Sequence, residues 1–275
     1  MRIDSHQHFW SLDRGDYDWL TKDLAPIYRD FTPVDLHPVL RANKIDGTIL
    51  VQAAATEAET EYMLSLAEKH DWILGVVGWV DMESPNAAQS IARFAQNPRF
   101  VGVRPMIQDI ADPNWMLKPE LAPALGALVD HGLRLDALLK PQHLTPLHRF
   151  ISLYPDLRIV IDHCAKPQIR EDAFQPWADQ IAQIAATSTT MCKLSGLVTE
   201  AKADWADQDI RPYAQHVLDC FGPERVMFGS DWPVLKLAGE YDAWVEFVQC
   251  LCAELSQFQI DSVFGGTARR FYLAN

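Results

Sequence analysis

Short apolar runs rich in β-branched residues recur along the chain, and each is followed by a segment whose apolar positions return every three to four residues. The runs occupy 1 to 4 (MRID), 47 to 52 (GTILVQ), 73 to 80 (ILGVVGWV), 100 to 105 (FVGVRP), 133 to 139 (LRLDALL), 157 to 163 (LRIVIDH), 190 to 196 (TMCKLSG) and 226 to 231 (VMFGSD). Strands alternating with helices in this way build βα units around a parallel sheet. Eight such units close a barrel, so the expected fold is an α/β (β/α)8 TIM barrel forming a single domain over residues 1–275. A doubly wound open sheet is the alternative, weakened because no glycine-rich phosphate loop follows the first strand.

The intervening segments carry helix punctuation. Thr56 with Glu59 reads as a capping box ahead of a helix burying Met63, Leu66 and Ala67. Ser84-Pro85 reads as an N-cap with proline at the first helical position, and Asn97-Pro98 as the stop. Leu121, Leu125, Leu128 and Val129 form one apolar stripe ending at His131-Gly132; Ile210, Tyr213, Ala214, Val217 and Leu218 form another ending at Phe221-Gly222-Pro223. Trp244, Phe247, Val248 and Leu251 mark the helix after the eighth strand, with a C-terminal cap from about 259 onward. The least regular stretches, 9 to 31 and 106 to 118, both follow strands, and loops after strands line the active face of such barrels.

Composition narrows the function. With 48% hydrophobic and 22% charged residues and no low-complexity tract, the chain reads as globular throughout. A formal charge of -13 without a basic stripe argues against a nucleic-acid partner and for a small neutral ligand. The opening MRIDSHQHFW lacks the apolar run of a secretion signal, no stretch nears the ~20 apolar residues of a membrane span, and five cysteines without paired spacing suit a reducing compartment. The expected location is therefore the cytoplasm, with no membrane partner. A homo-oligomer is left open.

Candidate chemistry gathers at the predicted strand ends. His6 and His8, two apart, share a face of an extended segment and can act together; the plainer reading is a surface pair near the terminus. Asp231 ends the eighth strand, which barrel closure brings beside the first; otherwise Asp-Trp-Pro is simply a turn. His163 ends the sixth strand and Arg104 the fourth, where an inward arginine needs a carboxylate or substrate oxygen as partner.

The motifs DSHQHFW, GVRP, IDHCAKP, CKLSGL and FGSDWPV, in this order over nearly the full chain, resemble the branch of the amidohydrolase superfamily that contains sugar lactonases and pyrone-dicarboxylate lactonase. The resemblance implies a hydrolase that opens a sugar lactone, with Asp231 activating water and His6, His8 and His163 around the carbonyl. Binuclear members place a lysine on the fourth strand and a histidine on the fifth, where this chain has Arg104 and Asp136, so two metals are not expected. A single divalent ion, zinc first, held by His6, His8 and Asp231 is one expectation, since imidazole and carboxylate suit zinc. Catalysis without a metal is the other.

His163 and Arg104 join Asp231 as catalytic candidates, donating to the oxyanion. Trp10, Trp79, Trp232, Asp136, His143 and Lys193 are the candidates for substrate binding, because indole faces cover the apolar side of a sugar ring while polar groups read hydroxyls. For each tryptophan, packing is an equal alternative, and strand parity leaves the direction of Lys193 open. No dense arginine cluster points to a dicarboxylate, which favours a neutral sugar lactone. The rival readings are a single-zinc decarboxylase of the same superfamily and a noncatalytic barrel that binds a sugar acid.

Overall fold

A computed structural model of the chain describes residues 1–274. Every predicted run overlaps one strand, and all but the first contain it whole: β1 (Ile3–Gln7), β2 (Gly47–Val51), β3 (Ile73–Gly78), β4 (Phe100–Val103), β5 (Arg134–Ala137), β6 (Arg158–Ile161), β7 (Met191–Leu194) and β8 (Val226–Phe228). Neighbours pair in parallel in chain order. The two ends meet where Gln7 bridges Trp232, where the Asp231 N–H donates to the His6 carbonyl at 2.8 Å, and where the His8 N–H donates to the Trp232 carbonyl at 2.7 Å. The sheet thus closes into a (β/α)8 barrel.

Helices α1 (Pro33–Ala42), α2 (Glu57–Lys69), α3 (Ala87–Phe94), α4 (Ala122–Asp130), α5 (Leu144–Leu153), α6 (Trp177–Thr187), the short α7 (Leu197–Glu200), α8 (Asp207–Phe221) and α9 (Tyr241–Leu251) follow the strands, and α10 (Gln257–Asp261) opens the C-terminal segment. Leu125, Leu128, Ile181, Val217 and Val248 on their inner faces are buried against outward residues of the strands such as Leu50, Val76, Leu135 and Ile161. None of the helices among the described residues is long and apolar enough to cross a membrane.

Four local expectations need correction. Thr56 caps α2 by accepting from the Glu59 N–H at 3.1 Å, but the Glu59 carboxylate turns away from the cap and takes the N–H groups of Ala53 and Ala54. In that helix Leu66 is only half-buried and Leu64 takes a core position. The third helix starts at Ala87 rather than Pro85, because the Ser84 carbonyl accepts from the Ala87 N–H in a preceding turn; it ends at Phe94, before Asn97-Pro98. Val129 is exposed, since α4 turns it away from the barrel while Leu125 and Leu128 face inward.

The first strand runs further than MRID suggests. Between the pairs Asp4–Thr48 and Gln7–Leu50, β1 carries one residue more than β2, a bulge that resets its side-chain alternation. Ile3 can therefore join the apolar interior with Ile49, Val77, Val101, Val160 and Met227, while His6 also reaches the barrel axis. Ala268, Phe271 and Tyr272 plug the end where the strands begin, and the Arg134 guanidinium fastens that plug by donating to the carbonyls of Phe271 and Ala274. The opposite end stays open.

Candidate active site

The open end leads to a cavity of about 360 Å³ whose floor is made by His8, Arg104, His163 and Asp231. Its apolar wall includes Trp19, Leu24, Met106, Leu138, Val234 and Leu237, and its polar edge includes Lys166, Thr199 and Glu200. Such a space, mostly apolar with a few converging polar groups, has the form of a small-molecule site.

Asp231 is the hub. Its Oδ1 lies 3.2 Å from His8 Nε2, 3.7 Å from His163 Nε2 and 3.8 Å from His6 Nε2. The residue sits at φ 58, a left-handed conformation at the corner between strand and loop, and its backbone is held by the His6 carbonyl. Burial by itself would raise its carboxyl, but His163 and His8 outweigh that and hold it below the usual range.

The three imidazoles are fixed from behind. His8 Nδ1 is 2.7 Å from the Val51 carbonyl, so the neutral ring donates there and turns a bare Nε2 toward Asp231. His163 Nδ1 is 2.9 Å from Ser195 Oγ. His163 itself lies in the left-handed region, and Gly196 passes so near that a Cβ there would come within 2.7 Å of His163 Nδ1. Burial lowers the pKa of His8, and lowers those of His6 and His163 well below the ordinary value.

Beneath the floor lies a layer of buried charge. Lys193 Nζ lies 2.5 Å from Asp136 Oδ2, 3.0 Å from Asp162 Oδ1 and 3.1 Å from His6 Nδ1. Arg104 donates to the Gln52 carbonyl and lies 3.3 Å from His6 Nε2 and 3.5 Å from Asp162 Oδ2. Tyr272 donates to Asp136 from the C-terminal plug, at 2.7 Å to Oδ2. Burial raises the Asp136 carboxyl to about 6, while Lys193 and Arg104 overcome burial and keep Asp162 below its ordinary value.

His6, His163 and Asp231 each offer a ligand atom within 4.8 Å of the others, and His8 Nε2 lies 3.2 Å from both His6 Nε2 and Asp231 Oδ1. In its neutral form His8 spends its one N–H on Val51, so its lone pair confronts a carboxylate oxygen at 3.2 Å. That approach is repulsive unless a positive charge lies between them. Burial disfavours a proton on the imidazole, so the donor set fits a divalent ion, and two imidazoles with a carboxylate suit zinc.

The substrate-binding candidates lie elsewhere than expected. Asp136 and Lys193 are fully buried below the floor. Trp10 is tied by its Nε1–H to the Arg29 carbonyl, and Trp232 packs edge-on against Phe9 and Phe31. The backbone of Trp79 is bound on both sides by the Thr60 hydroxyl, and His143 accepts from the Lys140 N–H. None of these six lines the cavity. Residues that do line it come from loops: Trp19 and Leu24 from 9 to 31, and Met106, Gln108 and Asp109 from 106 to 118, both stretches marked by their irregularity. Lys166 and Glu200 carry no such signal.

A family model described as Amidohydrolase matches residues 3–273. The chain is 44% identical over 275 residues to a Burkholderia ambifaria protein named L-fucono-1,5-lactonase, covering 98% of this chain and 95% of that one. A Burkholderia multivorans protein of the same name is 36% identical over 286 residues, with 99% and 96% covered. Among solved structures, an amidohydrolase from Burkholderia multivorans with bound zinc superposes at a TM-score of 0.94 and 35% identity, with 99% of each chain covered.

Proposed function

Because the chain belongs to the amidohydrolase family, we propose that it hydrolyses a sugar lactone to the open aldonic acid, with Asp231 as the base. The observation that carries the proposal is Asp231 on the cavity floor, within 3.2 to 3.8 Å of three imidazoles. The relatives named L-fucono-1,5-lactonase support the substrate class and make an aldono-1,5-lactone the first compound to try.

A lactone is a cyclic ester. Opening it needs water delivered to the carbonyl carbon, a base for the water proton, and donors for the oxygen on which charge develops. Asp231, ionised at neutral pH, takes a proton from the attacking water and passes it to the ring oxygen as the ester C–O bond breaks. Arg104 and His163 donate to the carbonyl oxygen from the same floor. Lys193 and Asp162 hold His6 in place from beneath. A single divalent ion, zinc foremost, would be held by Asp231 with His6 and either His8 or His163, leaving a coordination position open; with His163 as a ligand, Arg104 alone would donate to the carbonyl oxygen. When bound it supplies Lewis-acid polarisation of the carbonyl.

A pH-indicator screen over aldonolactones tests the proposal. Ester opening releases a proton, decarboxylation consumes one, and a noncatalytic barrel is stabilised by ligand without either. Silence across 1,4- and 1,5-aldonolactones would end the lactonase reading. Repeating the screen after exhaustive chelation tests the ion, and undiminished turnover removes it from the mechanism.

A further inference from the structure

Two charged side chains on the cavity edge take no part in the hydrolysis described above. Lys166 lies in the loop after β6 and Glu200 ends α7 after β7, and both line the cavity with Asp231. Their side chains are 23% and 28% exposed, and Lys166 Nζ is 3.8 Å from Glu200 Oε1, beyond hydrogen-bond length. Among the described residues this loose ion pair is the sole protein partner of either head group. Each therefore keeps hydrogen-bonding capacity for a guest.

The backbone beneath Lys166 is strained. His163, Cys164, Ala165 and Lys166 follow one another in the left-handed region at φ 52, 53, 58 and 49. Non-glycine residues pay for that conformation, and such strain gathers where side chains must be placed for function. The turn that aims His163 at Asp231 also brings Lys166 to the cavity. Trp19, Leu24, Met106, Val234 and Leu237 add apolar surface to the same cavity. A ring that carries both hydroxyls and apolar C–H surface matches this mixed lining.

We propose that Lys166 and Glu200 determine specificity by reading the hydroxyl groups of the lactone ring, Glu200 accepting from them and Lys166 donating to their oxygens. The inference rests on the lactonase reading. Its test compares kcat/KM for L-fucono-1,5-lactone with that for δ-valerolactone, which has the same ring ester and no hydroxyls, in the wild type, Glu200→Gln and Lys166→Met. The ratio of the two is expected to fall about tenfold to a hundredfold in each variant, chiefly through KM for the sugar lactone, as buried hydrogen bonds to a charged partner are lost. Parallel losses on both substrates, or no loss on either, would overturn the inference alone. A wild type inactive on both lactones would overturn the lactonase reading and this inference with it.

Discussion

Gly196 lies against the face of His163, with an added Cβ falling 2.7 Å from Nδ1 and 2.8 Å from Cγ. At φ 65 the residue also needs the left-handed region. Gly196→Ala therefore meets two penalties: a backbone cost of about 1–2 kcal/mol and a contact that must push the imidazole off Ser195. A displacement near 1 Å in a catalytic group costs on the order of 100-fold in rate. Kinetics of Gly196→Ala should show kcat falling by about that factor, with the melting temperature lowered as well. Full activity would mean that the position of His163 is unimportant.

Asp231→Asn is the cleaner catalytic probe, since asparagine tolerates the left-handed conformation at φ 58. The amide keeps the shape and loses the base. Turnover is expected to drop about 10²- to 10⁴-fold with little change in melting temperature. Near-normal kcat in stopped-flow or steady-state assays would remove Asp231 from its role.

Lys193→Met strips the counter-charge from Asp136 and Asp162, both fully buried. Breaking one side of a buried ion pair typically costs about 3–5 kcal/mol, and urea denaturation should register a loss of that order. Adding Asp136→Asn to Lys193→Met should recover part of it, because one orphaned carboxyl disappears. A double variant no more stable than the single one would show that the layer is not held together by charge.

Glu59 predicts a pH-dependent stability. Burial raises its carboxyl from 4.5 to about 7 in the folded chain, against the N–H groups of Ala53 and Ala54, which pull the other way. The folded state then holds this proton more tightly than the unfolded one, so the contribution is complete below pH 4.5 and is lost as pH rises toward about 7. Over that window the stability difference between wild type and Glu59→Gln should shift by about 3 kcal/mol to the disadvantage of the wild type. Denaturation at several pH values measures it; a constant difference would mean that Glu59 titrates normally.

The site was legible in part. His8, His163, Arg104 and Asp231 lie within three residues after the ends of strands β1, β6, β4 and β8, and the place where a strand ends is largely a local property of the chain. Asp136 and Lys193 looked equally available from strand position, yet both point into the axis and pair with each other, Asp162 and His6. Inward polar residues on different strands can be matched only when the strands are set side by side. Trp10, Trp79 and Trp232 carried a plausible chemistry for sugar binding, but none lines the cavity: Trp10 and Trp232 have indoles in packing positions, and Trp79 is held through its backbone by Thr60.

By itself the sequence determined the eight βα units, the closed parallel barrel and the presence of ionisable groups at its open end, because hydrophobic period and strand termini depend on neighbours a few residues apart. Tertiary structure decided the rest. The bulge in β1 chose the direction of His6, the left-handed turn at 163 to 166 set His163 and Lys166 on the cavity, and residues 268 to 273 closed the barrel floor from the far end of the chain. These depend on contacts between segments distant in sequence, whose balance of burial, charge and strain exists only once the ring of strands is complete.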